Sequence, residues 1–170
     1  MRLAKLFWGG VLAGCVAGCA GYKLGPTLGT PAGSRSIEIH LFQNRTLEPR
    51  LIEAVGSALR KNVQQDGTYR LDTHGDGDIV VDGVITTFQR TGVSYQPADV
   101  LTVRDYELRM AAKITARERA TGKILLDREV IGRLTVRVGN DLASAERQAI
   151  PILADRLAQN ATSLLVDGSW

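Results

Sequence analysis

The chain has 170 residues, 44% of them hydrophobic and 23% charged, with a formal net charge of +3. That balance belongs to a folded domain rather than a disordered or fibrous chain. With only 5% aromatics and so small a positive excess, it excludes a nucleic-acid binder built on a basic face or on base-stacking platforms. A chain of about 150 residues buries roughly 70% of the surface its unfolded form exposes, enough for one hydrophobic core and not two.

The amino terminus is read first. Met1 to Lys5 carries Arg2 and Lys5 and no acid, and the apolar run Leu6 to Gly18 follows. This run falls short of the roughly 20 apolar residues a spanning helix needs. It has the layout of a secretory signal, with small residues before the cut. Those small residues lead straight into a cysteine, Val16-Ala17-Gly18-Cys19. The segment resembles the lipobox of bacterial lipoproteins, in which the cysteine thiolate takes diacylglycerol and becomes the acylated first residue. Leu12-Ala13-Gly14-Cys15 fits the same pattern but would leave a shorter apolar core, so Cys19 is the expected lipidation site and Cys15 the alternative. Loss of residues 1–18 removes Arg2 and Lys5 and leaves the mature chain nearly neutral. No further cysteine exists, so no disulfide framework is available. Acyl chains contribute about 0.8 kcal/mol per buried CH₂, and several of them give a stable anchor. The residue after Cys19 is Ala20. An aspartate there commonly marks inner-membrane retention in lipoproteins of diderm bacteria, so the resemblance implies the outer membrane.

Along the mature chain, residues 19–36 are rich in Gly, Pro, Thr and Ser and read as a tether. Ile37, Ile39 and Leu41 alternate with polar residues as a half-buried strand, broken at Gln43 to Thr46. Thr46 is the expected N-cap and Pro49 the first turn of a helix over about 48–65. Its stripe is Leu51, Ile52, Val55, Ala58, Leu59 and Val63, and Asp66-Gly67 stops it. A short strand over Tyr69 to Thr73 and a polar turn over His74 to Gly77 come next. Ile79 to Gln89 is a β-branched run, expected to be covered on both faces or bulged at Gly83. Thr91 to Asp99 reads as a loop. Then Tyr106, Leu108, Met110, Ala112 and Ile114 alternate with Asp105, Glu107, Arg109, Ala111, Lys113 and Thr115. Ala120 to Lys123 is a hairpin turn, and Ile124 to Val138 is the return strand, with Val130, Leu134, Val136 and Val138 inward. Gly139-Asn140-Asp141 ends that strand and caps a second helix over Leu142 to Val166, buried through Ala145, Ala149, Ile150, Leu153, Leu157, Ala161 and Leu164, with a kink expected at Pro151. The order implies an α+β two-layer sandwich: a mainly antiparallel sheet with two helices packed on one face. The other face, with Glu107, Arg109, Lys113, Thr115 and Arg117, should be polar and exposed or partner-bound.

Catalytic and metal chemistry find little support. Asp72, His74, Asp76 and Asp78 alternate like a calcium loop, but the twelfth position, where an EF-hand needs Glu, is Gly83. An exposed Gly/Asp turn is the plainer reading. His40 and His74 are the only histidines and neither sits in a nucleophile–base or zinc pattern. Gly75 and Gly77 lack the third glycine of a phosphate loop and lead into a strand. No enzyme activity, cofactor or metal is expected. The arginines are interleaved with acids, as on a solvated mixed surface.

Cys19-Ala20-Gly21-Tyr22-Lys23-Leu24 resembles the lipidated start of the LptE family of lipopolysaccharide-assembly lipoproteins. The segment Ile37-x-Ile39-x-x-Phe42-x-Asn44-x-Thr46, with Leu51-Ile52-x-x-Val55 after it, is similar to that family's first strand and helix. Tyr106-x-Leu108 and Asn140-Asp141-Leu142-Ala143-x-Ala145-Glu146 fit as well. The resemblance implies a signal peptide over 1–18, a lipidated tether over 19–36 and an LptE-like domain over 37–170. It further implies a non-enzymatic subunit, anchored in the outer membrane and facing the periplasm, that plugs the LptD β-barrel and supports placement of lipopolysaccharide at the cell surface. Arg90, Arg104 and Lys123, near strand ends, are the candidates for lipopolysaccharide contact. The competing expectation is an outer-membrane lipoprotein that regulates or pilots another envelope machine.

Overall fold

The computed structural model describes residues 32–167 apart from 98, 139 and 140. The expected signal sequence with Cys15, the expected lipidation site Cys19, most of the expected tether and the Gly139-Asn140 part of the expected helix cap lie outside the described residues. The elements, in order, are β1 (Ser36–Ile39), β2 (Gln43–Asn44), α1 (Leu51–Asp66), β3 (Arg70–Asp72), β4 (Ile79–Gln96), β5 (Asp99–Glu118), β6 (Ile124–Arg137) and α2 (Leu142–Asp167).

The six strands form one sheet in the order β3-β1-β4-β5-β6, with β2 pairing β4. The long β4–β5 and β5–β6 ladders are antiparallel. β1 is parallel to both β3 and β4, because the chain returns through α1 between β1 and β3, a crossover that only parallel strands require. Inward residues of the sheet and the apolar stripes of both helices share one core: Ile37, Val81, Ile85, Leu108, Met110 and Ile114 from the sheet, Leu51, Val55 and Leu59 from α1, and Leu153, Leu157 and Leu165 from α2. Each such fully buried side chain contributes roughly 1.5–3 kcal/mol by removal from water. The expected α+β sandwich, with helices on one face, is therefore the fold.

Several local expectations are corrected. The first strand ends at Ile39, and Leu41 is 72% exposed while Phe42 turns inward at 2%. Residues 43 and 44, expected to break the strand, instead run parallel to β4. Thr46 does not cap α1. The N-cap is Arg50, without a side-chain hydrogen bond, while Thr46 donates its hydroxyl to Asn44 Oδ1 at 2.8 Å and accepts the Glu48 N–H at 3.3 Å, closing a turn before the helix. The stop at Gly67 is as expected: its φ of 75° lies in the left-handed region, and its N–H reaches the Val63 carbonyl. Gly83 carries no bulge. The register shifts between Ile85 and Thr87 instead, and Gly83 is required because the Phe42 ring lies where a Cβ would go, 2.2 Å from its ideal position.

The largest difference is the loop expected over Thr91 to Asp99. It is strand up to Gln96, paired with β5 through Gly92↔Tyr106, Ser94↔Asp105 and Tyr95↔Val103. Gly92 and Pro97 suggested irregular backbone, but Thr91, Val93 and Tyr95 are strand formers and β5 offers a complete edge for them to pair with. β4 thus has 18 residues, about 60 Å at roughly 3.3 Å per residue. The β4–β5 tip lies at the end of the sheet opposite Ser36, the first residue of β1. The expected turn over Ala120 to Lys123 is present, with Gly122 at φ 71°. Asp141 caps α2 by accepting the N–H groups of Ala143 and Ser144, each at 3.0 Å. The helix stays helical on both sides of Pro151. Pro151 and Arg147, whose carbonyl loses its helical partner there, are both exposed residues.

Candidate functional site

The three basic residues singled out from the sequence do not converge. Arg90 and Arg104 lie on the hairpin half of the sheet, and Lys123 lies in the β5–β6 turn, at the end where β1 begins. Arg90 is committed to α2. Its Nε donates to Glu146 Oε1 and its Nη2 to Oε2 at 3.0 Å, while its guanidinium sits 5.0 Å from the centre of the Phe88 ring. Glu146 is only 6% exposed. A carboxylate so far out of water is tolerable when a guanidinium answers it bidentately. The same hydrogen bond holds the Arg90 guanidinium above its ordinary pKa. The signal for this clamp was present in the sequence: Glu146 falls on the helical stripe with Ala149, Ile150 and Leu153, and a charge on a buried stripe needs a partner.

Arg104 donates to Asp105 Oδ2 at 2.9 Å, and Arg137 from β6 donates to Asp105 Oδ1 at 3.1 Å. Ser94 from β4 also donates to Asp105. These donors, the Ser94 hydroxyl first, bring the Asp105 carboxyl down to a pKa of about 2. The cluster ties β4, β5 and β6 together just below the hairpin tip. Lys123 is exposed, and its ammonium enters no ion pair among the described residues.

His40 and Asp72 spend their polar groups on neighbours within the fold. His40 stands between Asp82, 2.9 Å from Nδ1, and Glu38, 3.0 Å from Nε2. Those carboxylates, Asp82 foremost, raise its pKa. Arg117 and Arg119 extend the network through Asp82 and Glu38, and among the described residues no hydroxyl enters it. Asp72 spends one carboxylate oxygen on its own turn, accepting the N–H groups of His74, Gly75 and Asp76 at 3.3, 2.9 and 2.9 Å. Among the described residues no cluster of three His, Cys, Asp or Glu side chains is placed to hold a metal.

A groove of about 660 Å³ runs between α1 and α2 past Ala54, Ala58, Ile150 and Pro151. The cations at its rim are answered locally, Arg50 by Glu48, Lys61 by Asp155 and Arg147 by Asp141. Among the described residues no helix is long and apolar enough to cross a membrane.

The model of the LptE family, described as lipopolysaccharide-assembly, matches residues 34–165. The chain belongs to the LptE family. Its fold is also similar to that of solved structures at low identity. The protein XCC0632 of Xanthomonas campestris has a TM-score of 0.61 at 6% identity, over 86% of this chain and 91% of that one. The protein CT253 of Chlamydia trachomatis has a TM-score of 0.56 at 10% identity, over 79% and 96%. A minor lipoprotein of Acinetobacter baumannii has a TM-score of 0.54 at 15% identity, over 78% and 92%. These likenesses establish the fold. No curated protein sequence is significantly similar to the chain.

Proposed function

We propose that this LptE-family chain is an outer-membrane lipoprotein, acylated at Cys19, that occupies and supports an LptD-type β-barrel while lipopolysaccharide is assembled at the cell surface. The observation that carries the reading is the family match over residues 34–165, joined to a small-residue run ending in cysteine upstream of it. The surface chemistry supports it. A barrel lumen is polar and wet, and the uncovered sheet face carries cross-strand ion pairs such as Lys113–Asp127 at 3.1 Å and Arg117–Asp82 at 3.1 Å rather than an apolar patch. The chain enters the fold at the β1 end, so the β4–β5 tip would project about 60 Å from the anchored side, at roughly 3.3 Å per residue. Within this reading the candidates for lipopolysaccharide contact differ in availability. Among the described residues the Lys123 ammonium enters no ion pair, Arg104 shares Asp105 with Arg137, and Arg90 is held by Glu146.

The test is purification of the tagged full chain from native membranes. A large β-barrel is expected to come with it, and Cys19→Ser is expected to release the domain from the membrane fraction. Absence of any barrel from the wild-type preparation refutes the plug reading, and acyl chains found on Cys15 by mass spectrometry refute the assignment of Cys19.

A further inference from the structure

On the sheet face left uncovered by the helices several charges are paired internally, while a cross-strand arginine pair at its centre, with Glu107 and Glu129 beyond it on either side, enters no ion pair among the described residues. Toward β1, Arg117 and Arg119 are met by Asp82 and Glu38, and Lys113 is met by Asp127. Toward the hairpin tip, Asp105 takes Arg104 and Arg137. Between these zones Arg109 of β5 and Arg133 of β6 are direct cross-strand partners. Side chains directly opposite on an antiparallel pair have Cβ atoms about 4.5–5.5 Å apart, and like charges placed so are destabilising. Neither guanidinium enters an ion pair among the described residues. Arg133 is exposed and Arg109 half-buried.

The neighbours define what such a pair can hold. Gln89 completes the row on β4, opposite Arg109. On one side lies Ala111, fully buried although it faces outward, beside half-buried Ile131. On the other lies Glu107, between Thr91 and Thr135. Two unanswered arginines beside a small apolar floor have the composition of an interface centre, where arginine is enriched and apolar neighbours exclude water.

We infer that this face docks against an acidic protein wall, with Arg109 and Arg133 each taking a carboxylate of the partner. The inference rests on the barrel reading above and specifies which side of the domain the barrel meets. A guanidinium binds a carboxylate bidentately, and two of them in one row suit two carboxylates on a facing strand pair. A lone phosphate headgroup fits less well. The main-chain N–H groups of β4 and β5 here are spent in the ladders, those of the edge strand β6 lie in the plane of the sheet and not out of its face, and Glu107 adjoins the pair.

The experiment uses the full lipidated chain in its native host. Arg109→Gln with Arg133→Gln removes the like-charge repulsion, so the purified variant is expected to melt at or above the wild-type temperature, yet to recover at least tenfold less barrel. Arg109→Glu with Arg133→Glu should lose the barrel further while staying in the membrane fraction. Arg109→Lys with Arg133→Lys, which keeps the charge but loses the bidentate fork, should recover more barrel than the Gln pair and less than wild type, and Arg156→Glu, on the exposed side of α2, should leave recovery unchanged. Barrel recovery undiminished in both the Gln and the Glu double variants overturns the proposal. So does undiminished barrel recovery with lost binding to lipopolysaccharide-containing vesicles, which assigns the pair to a phosphate. A wild-type preparation without any barrel sinks the plug reading itself and is told apart by that control.

Discussion

Gly83 and Phe42 offer a sharp test of how the sheet is packed. Phe42 lies in the link between β1 and β2, and its ring sits over β4 at Gly83, 2% exposed. A Cβ at position 83 would come 2.2, 2.3 and 2.5 Å from three ring carbons, well inside van der Waals contact. Gly83→Ala must therefore displace the ring, and overpacking of this kind costs about 1–3 kcal/mol. Phe42→Ala removes the ring and leaves a cavity, at a cost of about 3–5 kcal/mol. The double variant decides the cause. Without the ring the alanine methyl has room, and replacing glycine in a strand then stabilises by about 0.5–1 kcal/mol through the unfolded chain. The two changes should be non-additive by about 1.5–4 kcal/mol, far above the scatter of independent sites. Urea denaturation of all four forms measures this, and thermal melting should show the single Gly83→Ala variant lowered by about 2–12 °C. An equal cost for Gly83→Ala with and without Phe42 would refute the argument that the ring is what demands glycine.

Two further outcomes are expected. Gly132→Ala on β6 would place a methyl 2.9 Å from the Leu153 carbonyl oxygen and 3.0 Å from Leu157 Cβ, so α2 must lift from the sheet; a loss of about 1–3 kcal/mol in chemical denaturation is expected, and a neutral result contradicts the close helix–sheet approach. Asp105 titrates at about 2 in the folded chain, against 3.8 for an unperturbed aspartate. Its contribution to stability is therefore present above pH 4 and lost as pH falls through about 2. NMR titration should find that midpoint, and Asp105→Asn should flatten the stability profile between pH 4 and 2; a midpoint near 3.8 would mean that the Ser94, Arg104 and Arg137 hydrogen bonds do not hold in solution.

Much of the fold is legible from periodicity, because burial on one side imposes it. The stripe Leu51, Val55, Leu59 and Val63 defines α1, and the alternation Leu108, Met110, Ala112 and Ile114 defines the inward face of β5. Both are set by each residue's own position on an element half in water. Gly67 and Gly122 likewise announce their turns, since both adopt a backbone conformation that glycine alone takes cheaply. The expectation of a tether and a lipidated cysteine rests on covalent chemistry and needs no fold at all.

Where partners lie far apart in sequence, local pattern is insufficient. Thr91 to Gln96 becomes strand because β5 supplies a ladder, although its own glycine and neighbouring proline argue for a loop. Gly83 is a seat for a ring 41 positions earlier and not a bulge, and Arg90 is a clamp on Glu146 across 56 residues. The opposition of Arg109 and Arg133 depends on the β5–β6 register, which shifts once between Ala116 and Arg117. Sequence settled which residues must leave water and where the chain turns, since both are properties of single side chains and short spans of backbone. Tertiary structure alone decided which charges are answered and which are left standing, because an ion pair exists only once two distant strands or a strand and a helix have been brought within reach of each other.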